Sequence, residues 1–209
     1  MRLSWANRMT ILRILLVVPF VICMLKINSP EFSPAMRNMI RYLSFGIFLV
    51  MAISDTLDGY FARKNRQITR LGAFLDPIAD KLLITSACLL LSSQRARVSD
   101  EFVLPSTVVV LIIGKDLLLI IGFIIVYFLT SELFVAPVLI GKIANGLQMA
   151  MVGAILVAPE ISRVIPGWIW LLRTVWWAAA CAAILAMLIY IRNGSRYIEE
   201  HEQIQNEKS

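Results

Sequence analysis

The stretch SDTLDGYFARKNRQITRLGAFLDPIADKL, residues 54–82, sets four aspartates, Asp55, Asp58, Asp76 and Asp80, inside an otherwise apolar chain. Asp55 and Asp58 are three residues apart, and Asp76 and Asp80 are four apart. Those spacings place each pair on one face of a helix. A short basic connection joins the two halves, so the segment predicts an antiparallel helical hairpin with facing carboxylates. Four carboxylates close to a membrane repel one another and are costly unless neutralised. Divalent cations answer that cost, because hard oxygen ligands suit Mg²⁺ or Mn²⁺. Two such ions would also withdraw charge from a phosphate undergoing displacement. Gly59 and Ala62 are small enough to let a bulky nucleotide approach the first helix, and Gly72 could do the same from the second. Arg63 offers a forked donor for a diphosphate. A lone acidic pair could instead be a proton relay, an ion site or an interhelix salt bridge.

The rest of the chain supplies the setting. Of 209 residues, 59% are hydrophobic and 16% charged, where a soluble domain carries about 25% charged residues. The mean hydropathy is +0.77. Six apolar spans can be placed at Met9–Leu25, Ile40–Phe61, Leu71–Leu91, Val103–Leu129, Val135–Val157 and Trp168–Ile191. Each is near the roughly 20 residues that a bilayer core requires. Polar or turn-forming segments separate them: Asn28-Ser-Pro-Glu, Arg63-Lys-Asn-Arg, Ser92-Ser-Gln-Arg, Thr130-Ser-Glu and Pro159-Glu-Ile-Ser. The runs lack the alternation of barrel strands. The expectation is an all-α polytopic membrane protein with six transmembrane helices over residues 1–193 and a polar, partly helical tail over 194–209.

Arg2, Arg8, Arg63, Lys64, Arg66, Arg70, Arg192 and Arg196 fall on the side shared by both termini. That bias places the termini and the aspartates in the cytoplasm. The net charge of +6 fits anionic lipid rather than nucleic acid, since no soluble basic domain carries it. Cys23, Cys88 and Cys181 lie in separate apolar segments without metal or redox spacing. No small-x-small cleavage site follows the first apolar run, which reads as a retained helix. The tryptophans around Trp168 suit an interfacial belt.

Asn7, Thr10 and Arg13 recur every three residues at the start of the first span and can share one helix face. A capped helix with snorkelling arginines would show the same spacing. Lys115, followed by Asp116, lies inside the fourth span, and Lys142 opens the fifth. Charges at that depth need partners. Lys115 could pair with Asp116 structurally. Alternatively Lys115, Lys142 and Arg70 could bind the phosphate of an anionic acceptor, which is the reading favoured by two basic residues exceeding their obvious partners.

Residues 55–80 match D-x-x-D-G-x-x-A-R-(x)8-G-x-x-x-D-x-x-x-D without a mismatch, and in this the chain resembles the CDP-alcohol phosphotransferases. The resemblance implies that family's six-helix fold and displacement of CMP from a CDP-activated donor by an alcohol, with two Mg²⁺ or Mn²⁺ ions. By position, Asp55, Asp58 and Asp76 would be metal ligands. Asp80 would touch metal and act as general base on the acceptor hydroxyl, and Gly59, Arg63 and Thr69 would hold the CDP moiety. The N-x-x-T-x-x-R pattern resembles the first helix of phosphatidylglycerophosphate and cardiolipin synthases, which would put Asn7 and Thr10 at the border of the nucleotide site. An acceptor with its own phosphate means glycerol 3-phosphate or the headgroup of phosphatidylglycerol. The Lys115-Asp116 pair looks more like the cardiolipin synthases, whereas the Gly141-Lys142 start of the fifth helix fits the phosphatidylglycerophosphate synthases. The expected chemistry is therefore phosphatidyl transfer from CDP-diacylglycerol to glycerol 3-phosphate in a bacterial inner membrane, with phosphatidylglycerol as the alternative acceptor. Homodimers are common among such relatives. A transporter with an acidic metal site is the rival class, but it would show internal repeats and charges spread along a route.

Overall fold

The computed structural model describes the backbone of residues 5–65, 70–130 and 139–208. Side chains are described for residues 8–55, 78–122, 124, 125, 128, 140–197 and 199. Among the described residues every regular element is helical: α1 (Trp5–Lys26), α2 (Pro34–Asn65), α3 (Arg70–Ser92), α4 (Ser106–Thr130), α5 (Leu139–Leu156), α6 (Ala158–Val164) and α7 (Trp168–Lys208). A single 3₁₀ turn, Asp100–Phe102, precedes α4 and is capped by Ser99 Oγ, which accepts from Glu101 N at 3.3 Å.

The side-chain arrangement departs from that of a water-soluble bundle in burying charged and polar groups within the apolar core and exposing large aliphatic ones. On α1, Thr10, Arg13, Phe20, Met24 and Ile27 are buried, while Leu12, Leu15, Val18, Ile22 and Leu25 are exposed. On α2, Arg41, Ser44 and Ser54 are buried and Leu43, Leu49, Val50 and Ile53 face outward. Large aliphatic side chains turned out and polar ones turned in are what an apolar solvent selects, because lipid offers unpaired polar groups nothing. Three helical segments, Arg8–Lys26, Pro34–Asp55 and Trp168–Tyr197, are long and apolar enough to cross a membrane. A fourth is reached if Ile140–Leu156 and Ala158–Val164, bent by 72° at their junction, form one broken span. The chain is thus an all-helical integral membrane protein, with three or four such spans among the described residues.

Two compact units divide the chain. The first comprises residues 1–105 and 149–173, and the second residues 106–148 and 174–209. In the first, α1 packs against both α2 and α3. Phe20 of α1 meets Phe48 of α2 with ring centroids 6.2 Å apart. Leu83, Ile84, Ala87, Cys88 and Leu91 bury one face of α3. Asn28 Nδ2 donates to the Arg97 carbonyl at 2.8 Å, joining the loop after α1 to the loop after α3. In the second unit, α7 buries Ala179, Ala180, Ala183 and Ala186. Small side chains allow close helix approach where no hydrophobic effect drives association.

Three segments differ from the sequence expectation. Pro159-Glu-Ile-Ser is not a loop but lies in α6. Proline is tolerated in a helix's first turn, where its missing N–H has no carbonyl to meet, so it ends α5 and permits α6 to start. Arg63 to Asn65 likewise continue α2 rather than forming a turn. The fourth span was expected from Val103, but α4 starts at Ser106, after the 3₁₀ turn and an extended Val103. Further on, Ile165-Pro-Gly-Trp168 reverses the chain into α7, with Trp168 N bonded to the Ile165 carbonyl at 3.3 Å. Gly167 has φ +85°, the value required at the third position of a proline–glycine type II turn. The polar tail continues α7 to Lys208. Thr130-Ser-Glu and the start of the expected fifth span lie outside the described residues.

α6 is tied to α2 by a polar cluster. Arg41, almost fully buried, pairs through Nη2 with Glu160 Oε1, and Tyr42 Oη donates to the same oxygen at 2.8 Å. The Arg41 guanidinium also sits 5.1 Å from the Tyr42 ring centroid. Removing one partner of such a pair strands a buried charge. Glu160→Ala should lower stability by about 3 kcal/mol, measured as thermal unfolding in detergent. The double variant Arg41→Met, Glu160→Ala should recover most of that loss.

Candidate active site on the first three helices

The aspartates reach the site from two helices that share α1 as neighbour. Asp55 lies on α2, and Asp58 follows it by three residues on the same continuous helix. Asp80 lies on α3, with Asp76 four residues before it. Both pairs therefore sit on helical backbone, as their spacing required. Thr69 lies outside the described residues. So do the side chains of Asn7, Asp58, Gly59, Ala62, Arg63, Arg70, Gly72 and Asp76.

What the structure adds is an ion pair. Arg13 of α1 is buried to 1% exposure, and its Nη1 lies 2.6 Å from Asp55 Oδ1. Thr10, one turn earlier on the same face, is fully buried. Thr10 and Arg13 of this face are thus turned inward, and the arginine holds the first aspartate of the motif. The Asp55 side chain keeps 38% exposure. An ionised carboxylate has about four lone-pair sites, and Arg13 takes one, so Asp55 retains capacity for a cation. Ser54, beside it, is buried, while Asp80 is half-buried.

Hard carboxylate oxygens on two helices that both pack against α1 are a donor type that fits Mg²⁺ or Mn²⁺. Among the described residues no three Asp, Glu, His or Cys side chains come together; Asp58 and Asp76, half of the expected set, are not among those described. Sequence reasoning named Arg13 as a member of the α1 face but not as a site residue. The signal was there: an arginine at membrane depth requires an anion, and the motif acids were the nearest supply.

The expected acceptor residues are placed differently. Lys115 of α4 is 2% exposed, with Nζ 3.0 Å from Asp116 Oδ1 and 3.3 Å from Asn145 Oδ1 of α5. The structural pairing with Asp116 is therefore formed, and Asn145, not anticipated from the sequence, joins it. Lys142, in the first turn of α5, is exposed.

The CDP-alcohol phosphatidyltransferase family model matches residues 3–185. A Bacillus subtilis protein named CDP-diacylglycerol–glycerol-3-phosphate 3-phosphatidyltransferase is 32% identical over 157 residues, covering 72% of this chain and 75% of the relative. A Haemophilus influenzae protein of the same name is 42% identical over 84 residues, 40% of each chain. A rice protein named cardiolipin synthase (CMP-forming) is 43% identical over 75 residues, 34% of this chain and 23% of the relative. With the family match extending from α1 into α7 and three quarters of the Bacillus relative aligned, the chain belongs to the CDP-alcohol phosphatidyltransferase family.

Proposed function

We propose that this protein transfers the phosphatidyl group of CDP-diacylglycerol to glycerol 3-phosphate and releases CMP. The observation that carries the reading is the Arg13–Asp55 pair, which anchors the first aspartate of the family's motif against α1. The names of the Bacillus and Haemophilus relatives support the choice of donor and acceptor.

In this reading Asp80 takes the proton from the attacking hydroxyl of the acceptor. The freed oxygen forms a bond to the β-phosphorus, the bond from that phosphorus to the bridging oxygen breaks, and CMP leaves with that oxygen. An alcohol is a poor nucleophile at neutral pH, so a positioned base is required. Asp55, Asp58, Asp76 and Asp80 would hold two Mg²⁺ or Mn²⁺ ions, which when bound neutralise charge on the diphosphate. Gly59, Ala62 and Gly72 leave room for the nucleotide, Arg63 grips its phosphates, and Asn7, Thr10 and Thr69 border it. Arg13 orients Asp55 from behind. Lys142, with Arg70 and Lys115, is assigned to the acceptor's phosphate.

The same reading seats six spans in an inner membrane, with both termini and the aspartates facing the cytoplasm. There a water-soluble acceptor and a lipid-anchored donor can meet. The resemblance to the rice cardiolipin synthase makes phosphatidylglycerol the alternative acceptor.

Purified protein given CDP-diacylglycerol, Mg²⁺ or Mn²⁺, and either glycerol 3-phosphate or phosphatidylglycerol should release CMP with the first. Release only with phosphatidylglycerol would reassign the acceptor, and release with neither would sink the transferase reading. Asp80→Asn should cut turnover by about 10³-fold while CDP-diacylglycerol still binds, as followed by titration. Arg13→Ala should raise the divalent-ion concentration for half-maximal activity about 10–100-fold, the usual effect of removing the partner that orients a ligand. Arg13→Lys, which keeps the charge but not the fork, should fall between that variant and the unsubstituted protein.

A further inference from the structure

α6 has seven residues, a length of about 10 Å, and is too short to cross a bilayer. It leaves α5 at a bend of 72°, so beside a membrane-crossing helix it runs nearer the membrane plane than the normal. The Arg41–Glu160 pair fixes it against α2. Arg41 and Asp55 share α2 and lie about 21 Å apart along its axis. α6 therefore marks the membrane face away from the aspartates. The corner from α6 into α7 turns large side chains outward. Val164 is 80% and Trp170 67% exposed, and Ile165 and Leu171 are half-exposed. Arg163 and Arg173, at the two ends of this stretch, are exposed as well. Water disfavours such an apolar cluster. A bilayer interface suits it, with tryptophan at headgroup depth and aliphatic groups toward the acyl chains.

The two arginines select the ligand. The Arg173 guanidinium lies 4.9 Å from the Trp170 ring centroid. Stacking takes up the face of the guanidinium and leaves its N–H edge to donate elsewhere. Glu160, the acid of α6, is committed to Arg41 and Tyr42. Among the described residues no carboxylate pairs with Arg163 or Arg173. A guanidinium only donates, so it calls for an anion, and its fork matches phosphate. The aliphatic side chains between the arginines call for acyl chains, which free phosphate lacks. A zwitterionic headgroup adds a cation that two arginines repel. We propose that this corner binds the headgroup phosphate of a net-anionic phospholipid in the leaflet away from the aspartates. The site depends on the membrane placement of the helices and is independent of the transferase reading.

Trp170 itself is the reporter. The full-length protein is reconstituted in phosphatidylcholine bilayers carrying a small fraction of acyl-chain-brominated phosphatidylglycerol or brominated phosphatidylcholine. The quenching that disappears in Trp170→Phe isolates that ring's share of the emission. Brominated phosphatidylglycerol should quench Trp170 at a mole fraction at least about 5-fold lower than brominated phosphatidylcholine, the preference expected from one arginine at an anionic surface. Arg163→Gln combined with Arg173→Gln should bring the two lipids level, and either single exchange carries the test should the pair not fold. Arg192→Gln combined with Arg196→Gln, which removes equal charge further along α7, should keep the preference. Equal quenching by both lipids in the unsubstituted protein, or a preference that survives the Arg163, Arg173 exchange, overturns the site. A preference lost equally in the Arg192, Arg196 control overturns it too, because net charge alone would then explain the effect. Reversal of the quenching by inorganic phosphate would assign the corner to the free anion and overturn the lipid assignment.

Discussion

Charge carried into an apolar solvent must be answered inside the protein, and this constraint organises the chain. Arg13 meets Asp55, Arg41 meets Glu160, and Lys115 meets Asp116. In each pair the basic partner is almost completely buried. Each pair costs desolvation that Coulomb attraction offsets only with good geometry, so the helices must sit where the partners can touch. The outward faces carry no such demand. Leu15, Val18, Leu49, Val110 and Phe128 are exposed because lipid accepts them without direction.

The three pairs differ in what they hold. Arg41–Glu160 ties the short α6 to the N-terminal part of α2, fixing the segment after the 72° bend. Lys115–Asp116, with Asn145, joins α4 to α5. Arg13–Asp55 joins α1 to the C-terminal part of α2, and it alone of the three engages the aspartate motif. A forked donor behind Asp55 fixes the direction of that carboxylate, as a partner of this kind does for a residue that holds a cation. Stability and chemistry thus draw on one kind of interaction, placed in different parts of the fold.

Much of this was legible in the chain. Residues 55–80 carry a motif whose spacing is helical, and each of the six apolar runs overlaps a helix found in the structure. α6 was not legible, because Pro159-Glu-Ile-Ser has the composition of a turn and a proline stops one helix as readily as it starts another. The engagement of Lys115 was open for a similar reason: an acid next in sequence and a phosphate from outside satisfy the same ammonium, and composition does not choose between them.

Residue order alone therefore settled the six long helices, their apolar character and the aspartate pattern that marks the family, since all three depend on spacings of a few residues. Tertiary structure decided the partners. Arg13 and Asp55 are separated by 42 positions, and Arg41 and Glu160 by 119. Whether such groups meet depends on how whole helices pack, which no local period records. The same packing buries Gln148 of α5 completely, with no hydrogen-bond partner for its carboxamide among the described residues. The four aspartates say what chemistry the chain can carry, and the folded arrangement sets Arg13 against the first of them.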